Sequence, residues 1–470
     1  MSSNYTLDDN SKIAVIGGGP SGSLFSIFAL KMAKMIDKKI DVTIFEPKDF
    51  TKDGPAGCNR CGGVISEHLV QALAVEGINI PTEVVQRGIN SYVLHTQVGD
   101  VYIESPAHEK RIVTVYRGGG PKGIKEKDRE SFDNFLLKYA IQEGASHVHL
   151  RIDGIKYKEK PILTSGGKDI IEADLVVGAF GVNSSTWKLF EDINIGYKKP
   201  ETTSAFITEL ELGNETVSKY FGSSIHFFLL PVPKNIKFVA LIPKGKYVTL
   251  CILGKDIDQQ TVTGLLDTPV ARKVLPENFM SDKFCKCFPK LSLSSAKGAF
   301  TDRIVVIGDA GSTRLFKDGI GASYIMGKAA AKTAVLHGVS KKDFAEYYYP
   351  VYRNTLMDNM YGRLIYLTTN TYKNFSLLTE SMVSIVKKEQ QKSSVEFPRL
   401  SSILWDTFTG NEAYKNIFIR GTSIWMHVKL GWEFVKALVR RIALKRVKSV
   451  NYIKMEKLFV VKVKKVITCM

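Results

Sequence analysis

The sequence predicts an α/β protein: a parallel-sheet domain assembled from separated stretches, an inserted antiparallel β-sheet domain and a helical C-terminal region. Three observations predict it. An apolar strand, Ile13 to Ile16, runs into a glycine turn and a helix-forming stretch. A second apolar strand, Ile304 to Ile307, meets Gly308-Asp309-Ala310 about 290 residues later. Between them lie short segments rich in β-branched and aromatic residues, and from Lys341 onward helical periodicity takes over.

In the first unit Gly17, Gly19 and Gly22 stand in G-x-G-x-x-G spacing, followed by a helix from Ser23 to Ile36 and a strand from Ile40 to Phe45. Backbone amides at such a helix start can hold a pyrophosphate. Glu46 ends the second strand, where an acidic residue takes the ribose hydroxyls of an adenine nucleotide. Glycine spacing alone also suits an ordinary βαβ turn; the flanking strand, helix and acid make the unit Rossmann-like. The later strand, with Gly319-Ile320-Gly321-Ala322 and an alanine-rich helix from Met326 to Leu336, has no place in a simple NAD domain and favours FAD. Two further pieces lie between: a helix opening at Arg129-Glu130-Ser131-Phe132-Asp133 and running to about Gly144, and a strand and turn from Ala173 to Ser184.

These pieces divide the chain into a discontinuous FAD-binding domain (11–85, 110–185 and 300–340), a substrate-binding β-sheet domain (86–109 and 186–299) and a helical region (341–470). In the second, Phe238 to Ile242 and Tyr247 to Leu253 read as strands joined by Pro243-Lys244-Gly245-Lys246. In the third, Phe344 to Leu367 reads as a helix, with a polar loop near Lys387 to Phe397.

Taken in order, the four nucleotide-binding blocks resemble the hydroxybenzoate-hydroxylase-like FAD enzymes. Gly57-Cys58-Asn59-Arg60-Cys61-Gly62-Gly63 and Tyr116-Arg117-Gly118-Gly119-Gly120-Pro121 are similar to runs in the geranylgeranyl reductase family. The resemblance covers residues 11 to 340. It implies FAD as cofactor, with Gly17, Gly19, Gly22 and Glu46 on its ADP half, Arg129 near its phosphates and Asp309 on the ribityl-pyrophosphate portion. Gly319 and Gly321 would let backbone approach the isoalloxazine, and the Gly118 loop would lie near it. Relatives usually carry an aspartate, linked to both FAD and NAD(P)H binding, where this chain has Phe180; the electron donor is either NAD(P)H or a ferredoxin-like protein, and the departure adds weight to the latter. The tryptophan signature of the flavin halogenases is absent.

The implied activity is reduction of C=C bonds in a prenyl or other hydrophobic lipid. The open alternatives are a monooxygenase acting on an apolar substrate and a membrane-docked electron-transfer flavoprotein. Reduction needs a proton donor, and Cys58 and Cys61 are the candidate catalytic residues, with His226 a weaker candidate; in the family the loop that carries the two cysteines leads toward the flavin. Cys58 and Cys61 also read as buried structural thiols, or, with Cys285 and Cys287, as four thiolates for a metal or iron–sulfur site; no metal is expected.

The net charge of +18 is uneven: residues 440–470 carry ten Lys or Arg and one acid. Just before them Trp425, Val428, Trp432, Val435, Val439 and Ile442 recur at helical spacing, flanked by Lys429, Lys436 and Arg440. This suits a helix in an anionic membrane interface. It also suits a helix packed on the body with a solvated basic tail. No nucleic-acid recognition module accompanies the charge, so nucleic acid is not an expected partner. Met1 to Asn10 is polar and no stretch is long and apolar enough to span a membrane. The expected location is cytoplasmic, with peripheral attachment to the inner membrane face.

Overall fold

The computed structural model describes residues 5–59, 62–105, 112–121, 129–231, 235–275, 287–391 and 399–444. Two six-stranded sheets organise it.

The first sheet has the strand order Phe300–Thr301, Ile304–Val306, Leu175–Gly178, Ser11–Ile16, Ile40–Phe45, Ser146–Val148. All pairs are parallel except the short pair at the 300–306 edge. Ile13 to Ile16 and Leu175 to Val177 at its centre are apolar and buried, covered by helices Pro20–Met35, Phe132–Gln142 and Gly319–Leu336. Helices Pro20–Met35 and Gly319–Leu336 approach closely. A Cβ on Gly327 would stand 3.1 Å from the Phe25 amide nitrogen, and Ser21 donates a 2.7 Å hydrogen bond to Ser323.

The second sheet has the order Phe206–Glu211, Tyr247–Gly254, Ile236–Lys244, Ser224–Leu229, Ser91–Thr96, Gly99–Glu104. It is antiparallel with one exception: Ser224–Leu229 runs parallel to Ser91–Thr96. That pair joins the two sequence stretches from which the sheet is built, and a connection through residues 110–185 of the first domain leaves either strand direction open. Strand Ser224–Leu229 is buried at every residue. Ile225, Phe227 and Leu229 face a core shared with Met382, Val383 and Trp405, while Phe228 faces a core shared with Val217, Val262 and Leu265. A small third sheet, Val64–Ile65, Ile112–Val115 and Val85–Ile89, packs against strand Ile236–Lys244 of the second.

Helices Tyr349–Asn374, Ser376–Gln391, Leu400–Thr409 and Tyr414–Gly421 follow, then a helix over 424–444. The polar stretch read as a loop from Lys387 is helical to Gln391, where Glu389 caps the next helix by accepting from the amides of Leu400 and Ser401. Helix 424–444 buries Met426, Glu433 and Ala437 and turns the tryptophan stripe outward; Trp425 is 72% and Trp432 63% exposed. Glu433 is held by Lys388 and Lys436 and by the Ser384 hydroxyl, which together pull its pKa down to about 2. Among the described residues no helix is long and apolar enough to cross a membrane.

Candidate functional site

A cavity of about 500 Å³ runs from the glycine turn of the first sheet to the aromatic face of the second. At its first end it is lined by Gly17, Gly19, Glu46, Arg117 and Asp309, and midway by Gly319. The local reasons for this end are steric. Gly17 has φ +110°, and a Cβ there would fall 2.5 Å from the Ala179 carbonyl oxygen. Gly22 does not line the cavity but sets helix against strand, since its Cβ would fall 1.9 Å from the Gly17 oxygen. Gly19, by contrast, opens outward: the nearest atom to its Cβ is Asp133 Oδ1 at 3.9 Å.

The helix that starts there, Pro20–Met35, has no side-chain cap and no acid in its first turn. Its first amides are therefore available to an external anion, and the positive end of the helix favours one. Glu46 is fixed in place by accepting from Gly18 N at 2.9 Å and Lys48 N at 2.8 Å. Beside the turn, Asp133 is fully buried and bound by Arg117 Nε at 2.5 Å and Nη2 at 3.0 Å and by Asn59 Nδ2 at 2.5 Å. Lys48 donates to Asn59 Oδ1 at 2.8 Å, completing a polar wall. An uncapped helix start, an open glycine and a fixed carboxylate at the end of the neighbouring strand fit a dinucleotide.

The opposite wall is the segment from Gly308 to Gly321. Gly308 has φ +63° and its Cβ would meet Ser21 Oγ at 1.9 Å, so this turn nests against the first glycine turn. Burial pushes the Asp309 carboxyl above its usual range, opposed by the charge of Arg117. Asp318, with φ +52°, caps helix Gly319–Leu336 by accepting from Gly321 N at 3.2 Å. Gly321 is glycine because a Cβ would sit 2.2 Å from that carboxylate, and it does not line the cavity. Burial raises Asp318 to about 6, against the pull of Arg314 and of its hydrogen bonds to Gly321 and Ser66. Arg314 ties this wall to the C-terminal helices through the carbonyls of Gly410 and Glu412.

The far end is an apolar chamber walled by Tyr92, Phe227, Phe238, Ile242, Cys251 and Phe408. Phe227 stacks on Phe408 with centroids 4.6 Å apart and on Tyr92 at 5.4 Å. Lys317 enters this chamber, its ammonium 4.3 Å from the Phe227 ring centre and 4.4 Å from that of Phe238. Neither Lys317 nor Cys251 carried a distinguishing signal in the sequence. Each acquires meaning only from residues far away in the chain.

Other sequence candidates sit elsewhere. Arg129 is exposed and donates to the Val85 carbonyl at 3.1 Å, outside the cavity; the arginine that reaches the cavity beside the glycine turn is Arg117. Cys58 does not line the cavity either. A short helical turn, Gly54–Ala56, sets it back into a separate space of about 20 Å³ shared with Cys287, and Pro55 and Arg117 lie between the two. A direct proton-donor role for Cys58 therefore has no geometric basis here, and Cys61 and Cys285 lie outside the described residues. His226 is on the sheet face opposite Ile225 and Phe227, where its Nδ1 lies 2.9 Å from Nε2 of His95 and burial pushes its pKa down to about 3. The Gly118 run packs on residues 52–58, with Cβ positions 2.2 Å from the Gly57 oxygen and 2.5 Å from the Lys52 oxygen. Phe180 lines the cavity and packs on Phe190 at 4.9 Å.

No family model matches the chain, and no curated protein matches it. Solved structures do. A geranylgeranyl bacteriochlorophyll reductase-like protein from Thermoplasma acidophilum aligns over 88% of this chain and 99% of its own, at 15% identity and a TM-score of 0.60. The halogenase PltM, solved with phloroglucinol and FAD, aligns over 90% and 96% at 12% identity and 0.56. The p-nitrophenol 4-monooxygenase PnpA from Pseudomonas putida aligns over 90% and 99% at 13% identity and 0.54. The chain has the Rossmann-type fold that these flavoproteins share.

Proposed function

We propose that this protein is an FAD-dependent oxidoreductase that reduces C=C bonds of a hydrophobic, isoprenoid-like substrate. The observation that carries the reading is the single cavity joining a dinucleotide-type glycine turn to an aromatic chamber. The cavity's size is that of a small-molecule site, and its apolar far end suits a prenyl chain. The fold, shared with FAD-dependent enzymes, supports the choice of cofactor.

The residues of the chain then have distinct tasks. The amides that follow Pro20 in the first turn of helix Pro20–Met35 would hold the pyrophosphate, and Glu46, held by two backbone amides, would take the adenosine ribose. Asp309 and the backbone at Gly319 form the wall between the two ends. When bound, FAD supplies the two-electron chemistry, hydride donation to one alkene carbon. The chamber wall would exclude water and orient the chain, and protonation of the second carbon is assigned to the thiol of Cys251, which lines the chamber. The reductant is NAD(P)H or a ferredoxin-like protein; Phe180 in the cavity wall favours the protein donor.

The outward tryptophan stripe of helix 424–444 supports docking on an anionic membrane, which would bring a lipid substrate to the chamber. Helix Tyr349–Asn374 also leaves Leu356, Met360, Leu364 and Leu367 exposed.

The test is anaerobic. Photoreduced holoprotein mixed with a geranylgeranyl lipid under argon is expected to show flavin reoxidation and a saturated product. Reoxidation only after oxygen is admitted, with a hydroxylated product, overturns reduction in favour of monooxygenation.

A further inference from the structure

The chamber that would receive the apolar substrate contains one feature an alkene does not need. Lys317 projects between Phe227 and Phe238 with no hydrogen bond or ion pair to any described residue. Of the carboxylates closest in sequence, Asp318 is engaged by the amide of Gly321, and Asp309 lies in the field of Arg117. The Cys251 thiol is a titratable neighbour, and burial pushes the lysine down to about 7.

Arg151 and Lys290, which also line the cavity, are exposed; the other lining cations are matched. Arg117 is paired with Asp133, Lys48 with Asn59 and Arg314 with backbone carbonyls. A second polar group in the same chamber is also unmatched. Tyr92 stacks on Phe227 and lines the cavity, and its buried hydroxyl has no hydrogen-bond partner among the described residues. Aromatic faces offset part of the cost of burying an ammonium, but not the whole of it. Unsatisfied buried polar groups in a binding chamber are normally satisfied by the ligand.

We propose that the substrate is an amphiphilic acid: an apolar body filling the chamber and one anionic group, carboxylate or phosphate, held by Lys317 with the Tyr92 hydroxyl as second donor. The inference rests on the reading of the chamber as a substrate site and narrows its chemistry. An acid is selected over the matching alcohol because the alcohol leaves the ammonium without a counter-ion. Lys317 thereby acts as a specificity residue.

The test uses FAD-loaded full-length protein and the change in flavin absorption on titration with farnesoic acid, farnesyl phosphate and farnesol. Wild type is expected to bind an anionic ligand about tenfold or more tightly than farnesol; comparison of acid with phosphate identifies the head group. Lys317→Met is expected to bring that ratio close to one while FAD content stays unchanged, Lys317→Arg to retain part of it, and Tyr92→Phe to lower it less. Equal binding of acid, phosphate and alcohol by wild type overturns the inference and leaves the apolar-substrate reading standing. So does a preference that survives Lys317→Met, or a variant that loses FAD while keeping the preference, since the lysine then serves the cofactor. Flavin-loaded protein that responds to none of the ligands overturns both.

Discussion

Gly22 stands over Gly17 so closely that a β-carbon on it would lie 1.9 Å from the Gly17 carbonyl oxygen. The obstructing atom is backbone, so no rotamer change relieves the clash. Gly22→Ala must push helix Pro20–Met35 off the strand and tilt its first amides away from the cavity. The expected outcome is a destabilisation of about 1–3 kcal/mol together with loss of copurifying flavin. Thermal unfolding and the visible spectrum of the purified variant check both.

Asp133 is completely buried under Arg117 and Asn59. Asp133→Ala strands the guanidinium beside the glycine turn, and breaking such a pair costs about 3–5 kcal/mol. Asp133→Asn keeps an acceptor for Arg117 and is expected to lose less. Urea titration of the two variants measures the difference.

Asp318 carries a pH dependence whose sign follows from its raised pKa. A carboxyl that titrates at about 6 in the folded chain and at about 3.9 when unfolded binds its proton more tightly when folded. Its contribution to stability is fully present below pH ~3.9 and is lost as pH rises through about 6. Asp318→Asn keeps a helix-capping oxygen for Gly321 and removes the titration. The variant is expected to gain stability over wild type as pH rises from about 4 to 7, by up to about 2–3 kcal/mol. Chemical denaturation at a series of pH values reads this directly.

Docking by helix 424–444 is checked with vesicles. Trp425→Ser with Trp432→Ser removes the two largest side chains from an already exposed face, so the fold is expected to be unaffected. Sedimentation with phosphatidylserine vesicles is expected to fall at least severalfold, and wild-type binding to weaken with salt. Equal sedimentation of variant and wild type ends the membrane reading.

The sequence revealed most where chemistry is encoded locally. The turn at Gly17 to Gly22, Glu46 at the end of its strand and Asp309 after its own are strand–turn–helix signals a few residues long, and Gly17, Gly19, Glu46 and Asp309 line one cavity. The chamber was not legible in the same way. Ser224–Leu229 is buried on both faces, so no polar alternation marks which side chains turn inward, and His226 could not be told from Phe227. Lys317 gains its role from rings contributed by two strands some eighty to ninety residues earlier. Arg117 and Arg129 flank one glycine-bearing stretch, and which of them reaches the cavity depends on how residues 52–58 receive Gly118 and Gly119. The outward turn of Trp425 and Trp432 likewise depends on Glu433, whose bonds from Ser384 and Lys388 of helix Ser376–Gln391 set the buried side of the helix.

The parallel pair joining Ser91 to Ser224 means that neither end of the cavity is encoded by a contiguous piece of chain. The same holds for the first sheet, where Ser11–Ile16 needs Leu175–Gly178 and Ile304–Val306 beside it. The two ends are threaded through one another rather than strung in tandem. A proteolytic nick in a surface loop would leave interleaved fragments that stay together and keep their ligand, whereas an excised half could not be purified as a binding module. Exchange of one end for that of another flavoprotein would have to replace several segments at once, so specificity in this architecture changes by substitution of wall residues rather than by shuffling of domains.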